Sequence, residues 1–145
     1  MKNLKSILLG LTLLVVAVAA KATGITTADK LTKNDVLNIY MNAAAHGKIE
    51  GLDKVLADDV QYNITRGANT TSIDKKQMME FFKSNANVDQ DCKCATSTIE
   101  DTDERLVVKF DMKFDGYTNT HVVTIVNKGY GWEISKVDTS VAKNA

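Results

Sequence analysis

From Leu106 to Phe114 the chain alternates: Leu106, Val108, Phe110, Met112 and Phe114 are apolar, and Lys109, Asp111 and Lys113 stand between them. Successive side chains of a strand point to opposite faces, so this segment is a strand with one dry and one wet face. A dry face must be covered, which makes the sheet one layer of a two-layer domain. Strand signals continue on both sides. Cys92–Ile99, Leu106–Phe114, Thr118–Asn127 and Trp132–Val141 are separated by turn residues, and this predicts a meander of four antiparallel strands.

The cover comes from upstream. Thr32 and Asp35 have the T-x-x-D spacing of a helix start, where the hydroxyl accepts from a backbone N–H and the carboxylate favours the positive helix end. Val36, Ile39, Tyr40, Ala43 and Ala44 then recur at helical spacing, and Gly47 ends the pattern. Ile49, Leu52, Val55 and Leu56 predict a second, shorter helix. Asp58 and Asp59 turn the chain into a strand over Val60–Ile64, and Gly67 marks the next turn. Ser72 or Asp74 caps a third helix that buries Met78, Phe81 and Phe82 and ends near Asn85 to Asn87. The expected fold is α+β: a bent antiparallel sheet wrapped around about three N-terminal helices, with residues 31–145 as one domain.

The first twenty residues follow a different logic. Lys2 and Lys5 precede an apolar run from Ile7 to Ala20. At about 14 residues that run falls short of the about 20 needed to span a bilayer, and it ends in small residues, as in a secretory signal peptide. Cleavage is expected near residues 20–22, leaving a polar leader over 21–30 and a periplasmic or extracellular product with no membrane span. Lysine and arginine total 18 against 18 acidic residues. A chain so balanced lacks the positive field that gathers phosphates, which argues against a nucleic-acid partner.

No motif names a chemistry, so candidate sites come from strand register. With a two-residue loop at Asp115-Gly116, Met112 faces Asn119, Phe110 faces His121 and Val108 faces Val123, and His121 points inward. With Lys128 to Gly131 as the next loop, Ile125 faces Ile134 and His121 faces Asp138. Cross-strand neighbours lie about 5 Å apart, close enough for an imidazole–carboxylate pair able to move protons. Tyr40 and Tyr62 can project hydroxyls toward the same interior. Trp132 and Tyr130 bracket a turn, where packing on the sheet edge competes with stacking on a flat ligand. His46 reads as a helix C-cap.

Asp58-Asp59 and Asp101 to Glu104 read as turns, and no metal or cofactor is expected. Cys92 and Cys94 share a strand face. With the turn at Asp101 to Glu104, that face is the outer one, and the β-carbons lie roughly 6 to 7 Å apart, so an internal disulfide needs a bend. Free thiols and a bent local disulfide both remain open.

Two segments carry a resemblance. Ile39 to Val60 is similar to the opening helix pair of the nuclear-transport-factor-2-like superfamily, and Gly131 to Val137 is similar to its closing strand. Within that superfamily the chain resembles small secreted bacterial domains described as lumazine-binding. The resemblance implies a cone-shaped sheet around an internal pocket, in a superfamily that holds ketosteroid isomerase, scytalone dehydratase and many noncatalytic members. Three functions follow as expectations. The first is a secreted, noncatalytic domain binding a small apolar or aromatic ligand with Tyr40, Tyr62, Phe110, Met112, His121 and Trp132. The second is an isomerase or dehydratase using His121, with Asp138 as its partner. The third is a dimeric interaction module, with Val122 and Val126 on the contact face.

Overall fold

A computed structural model of the chain describes residues 30–145. The signal peptide expected over 1–20 and the leader expected over 21–30, apart from its last residue, lie outside the described residues.

The first helix, α1 (Lys33–His46), starts where the T-x-x-D spacing places it. Thr32 Oγ1 accepts from the Asp35 N–H at 3.1 Å, and Asp35 accepts from the Thr32 N–H at 2.8 Å. Each side chain thus satisfies a backbone donor that the helix leaves open. Gly47 ends the helix in the left-handed region at φ 66°, donating to Ala43 O at 3.1 Å. The buried stripe is Val36, Leu37, Tyr40, Ala43 and Ala45, while Ile39 and Ala44, expected in it, are only partly buried. The stripe is turned because α1 is covered on a second side: Ala45 O accepts from Gln90 N, and Gly47 O from Asn87 N, both at 2.8 Å.

The second helix, α2 (Leu52–Val55), is a single turn, shorter than its apolar stripe predicts, because the chain enters β1 (Leu56–Arg66) at once. Asp58 and Asp59 lie within this strand, in an irregular stretch between Leu56 and Gln61. A polar hairpin partner, β2 (Asn69–Ile73), follows the turn at Gly67. Then α3 (Lys75–Ser84) starts on a second reciprocal cap between Asp74 and Gln77. It buries Met78, Met79 and Phe82, while Phe81, expected inside, is 49% exposed. The remaining chain is the expected meander: β3 (Lys93–Asp101), β4 (Arg105–Lys113), β5 (Tyr117–Asn127) and β6 (Trp132–Lys143).

The six strands form one unclosed sheet in the order β2-β1-β6-β5-β4-β3. The join between β1 and β6 is parallel, so the sheet is mostly rather than wholly antiparallel. Helix α1 packs on β4, β5 and β6, and α3 on β1. Between the layers lies a core whose fully buried members include Tyr40, Leu52, Met78, Phe110, Ile125 and Ile134. The α+β cone is therefore the fold of the described residues.

Candidate functional site: a neutral histidine cleft

Register delivers His121 to the interior. Strand β4 pairs with β5 as expected, with Phe110 opposite His121, Met112 opposite Asn119 and Val108 opposite Val123. Only 4% of His121 remains exposed. Its Nδ1 lies 2.6 Å from the Tyr40 hydroxyl, which α1 carries across from the opposite layer. Phe110 meets the imidazole edge-on at 5.9 Å between ring centres. Burial pushes the His121 pKa down to about 4, so the ring is neutral at pH 7. Burial likewise pushes Tyr40 well above its ordinary value. It carries Tyr62, whose hydroxyl is beside those of Tyr40 and Thr139, up to about 12.

The expected His121–Asp138 pair does not form. Ile125 does face Ile134, but Thr124 faces Lys136, so Ser135 is an extra residue in β6 and the pairing beyond it moves by one. His121 therefore faces Thr139, and Asp138 faces Val122 on the outer side of the sheet. There Asp138 accepts from Asn63 Nδ2 at 2.7 Å and lies 3.4 Å from Lys136. The signal for this bulge is in the sequence. Ile134 and Val137, both fully buried, are three apart, which a regular strand cannot place on one face.

A cleft of about 150 Å³ opens in front of the imidazole, between α1, α3 and the sheet. His121, Tyr62 and Met112 line it, together with Ala43, Ala44 and Phe82. Phe81, Phe114 and Tyr117 also border it, the last two stacked at 4.8 Å and 13°. Tyr40 and Phe110 stand behind the wall and hold His121. Trp132 is elsewhere: it pairs with Asn127 at the far end of β5, with Lys33 Nζ 5.3 Å from its ring centre. Asn119 was not singled out by sequence reasoning, although the signal was present. It lies two residues before His121, a polar side chain in an inward row. Both have a buried atom with no protein partner, Asn119 Oδ1 and His121 Nε2.

The cysteines also change face. An extra residue at Ile99 shifts β3, so Cys94 faces Met112 rather than the outer surface. Cys92 packs against the core, and the two sulfurs are 3.8 Å apart as free thiols. Burial and the neighbouring Cys94 push the Cys92 thiol up to about 11. His46, read as a cap, stands in the last turn of α1 with Nδ1 2.9 Å from Asp89, while Gly47 is the cap residue. Tyr130 donates to Glu133 at 2.7 Å and stands 69% exposed. Among the described residues no group of three metal-ligating side chains converges, and no helix is long and apolar enough to cross a membrane.

A helix pair and a third helix laid over one face of an unclosed sheet, with a cleft between them, define a nuclear-transport-factor-2-like cone. Solved structures share it. An NTF-2-like protein of unknown function from Silicibacter pomeroyi superposes with a TM-score of 0.61 at 11% identity, over 86% of this chain and 98% of that one. One from Shewanella baltica gives 0.63 at 11% identity, over 76% and 90%. A protein described as a putative ketosteroid isomerase, from Parabacteroides distasonis, gives 0.54 at 11% identity, over 74% and 86%. At these identities the likeness is one of fold. No curated protein matches the sequence. Residues 28–137 match the family described as "Putative lumazine-binding", and the chain belongs to that family.

Proposed function

We propose that this protein is a noncatalytic receptor for one small uncharged molecule, about a single ring in size, held in the His121 cleft. The observation that carries this reading is the cleft wall, which is aromatic and aliphatic with a few polar groups and no ionised side chain. That composition is typical of small-molecule sites. Its volume of about 150 Å³ sets the size of the guest. Drug-sized ligands occupy roughly 300–1,000 Å³, whereas a cavity of about 150 Å³ accepts benzene. A fused two-ring lumazine, as in the family description, needs Phe81 and Tyr117 to swing outward; they stand 49% and 41% exposed.

The pKa values argue against proton transfer. A general acid or base works best with a pKa near the working pH, and His121 at about 4 is far below it. The carboxylate that would raise it, Asp138, is on the other face. The tyrosines beside His121 are too weakly acidic to supply a proton at pH 7.

A thermal-denaturation screen with single-ring and two-ring neutral compounds tests the receptor reading. A ligand at a hundred times its dissociation constant adds about 2.7 kcal/mol of stability. Single-ring compounds are expected to raise Tm, and a flat response across the set removes the proposal. We also propose that the protein is exported, on the strength of Lys2, Lys5 and the apolar run to Ala20. N-terminal sequencing of protein recovered outside the cytoplasm is expected to start at Lys21 or Thr23; an intact Met1 there defeats cleavage.

A further inference from the structure

We infer that the ligand of the His121 cleft carries a hydrogen-bond acceptor and a donor side by side on one neutral edge, as in a lactam or an amide. This rests on the receptor reading above and names its ligand class.

The inference starts from the protons of the Tyr40–His121 contact. At 2.6 Å the contact is a short hydrogen bond between the phenol oxygen and the ring nitrogen. A phenol is a much stronger acid than a neutral imidazole N–H. Tyr40 therefore donates and Nδ1 accepts, which leaves the single proton of the neutral ring on Nε2. That Nε2–H is buried and has no acceptor in the protein, on a side chain that borders the cleft.

Two residues earlier on β5, on the same face, Asn119 borders the same cleft with Oδ1 buried and unbonded. Buried polar groups are almost always satisfied, so two open ones in a single cleft mark where a partner belongs. One is a donor and the other an acceptor. The matching guest offers a carbonyl oxygen to His121 and an N–H to Asn119. It must also be uncharged, because no wall residue could neutralise an ion taken out of water. A carboxylate would satisfy Nε2–H but would bring a full negative charge into a wall that has no cation to meet it.

Calorimetric titration of the protein with four probes tests this. 2-Pyridone has the full edge on one ring, N-methyl-2-pyridone lacks the donor, benzene lacks both groups, and benzoate is an anion. 2-Pyridone is expected to bind at least tenfold tighter than the other three. Asn119→Leu, with folding verified by circular dichroism, is expected to bring the ratio of 2-pyridone to N-methyl-2-pyridone close to one. Nitrogen NMR of the free protein is expected to place the His121 proton on Nε2. Equal binding of benzene and 2-pyridone overturns the lactam edge and leaves the receptor intact, whereas failure of all four to bind overturns both. A proton on Nδ1, or a preference for benzoate, also overturns the inference.

Discussion

At the residue scale, the Tyr40–His121 contact joins the helical layer to the sheet through one bond at 2.6 Å in a buried site. Removing the hydroxyl leaves Nδ1 buried without a partner, which costs about 1–3 kcal/mol. Tyr40→Phe is accordingly expected to lose that much stability in urea denaturation, with little change in m-value. Protonation supplies a second prediction. His121 titrates near 4 when folded against 6.5 for the ordinary group. Between those values the unfolded chain binds more protons, so stability falls as pH drops from about 6.5 toward 4 and is recovered above 6.5. A shift of that size corresponds to about 3 kcal/mol. His121→Gln should flatten the dependence of stability on pH within this window; an unchanged slope would mean the imidazole is not held neutral. His121 itself was legible from the alternation of β4 and the length of one loop. Its partner was not, because Tyr40 lies 81 residues away in another layer.

At the scale of elements, reciprocal side-chain caps and glycines set where helices begin and end. Gly47 does more than its place in the sequence suggests. A β-carbon there would lie 2.6 Å from Val88 N and 2.7 Å from Asn85 O and Asn87 N, all backbone atoms, at φ 66°. Gly47→Ala is expected to cost more than about 2 kcal/mol, since both the conformation and the contact forbid a side chain. Its midpoint in urea measures this directly. Two elements were less legible. The edge strand β2 is Asn-Thr-Thr-Ser-Ile, without an apolar alternation, and depends on its ladder to β1 and on contacts such as Thr65–Thr70 at 2.9 Å. The bulges at Ser135 and Ile99 add no turn residue, and only the first leaves a trace in the sequence, the three-residue spacing of Ile134 and Val137.

At the scale of the molecule, β5 and β6 occupy the middle of the sheet, and β2 and β3 its edges. Backbone groups flanked by strands on both sides and covered by α1 open only when the whole domain does. Amide exchange at Val123, Ile125 and Val137, all fully buried, is therefore expected to follow global unfolding. The amides of Thr70 to Ser72 should exchange faster by local opening. Equal protection across the sheet would contradict this layered stability.

Alternation and helical spacing sufficed for an α+β chain with an inward His121, because these patterns record how each residue meets water within its own element. They operate over a few residues. The parallel joining of β1 to β6, the outward turn of Asp138 and the meeting of Tyr40, His121 and Asn119 around one cleft were decided by packing between layers. An extra residue in a strand reverses every side chain beyond it, and the energy that fixes its position comes from the core on the other side.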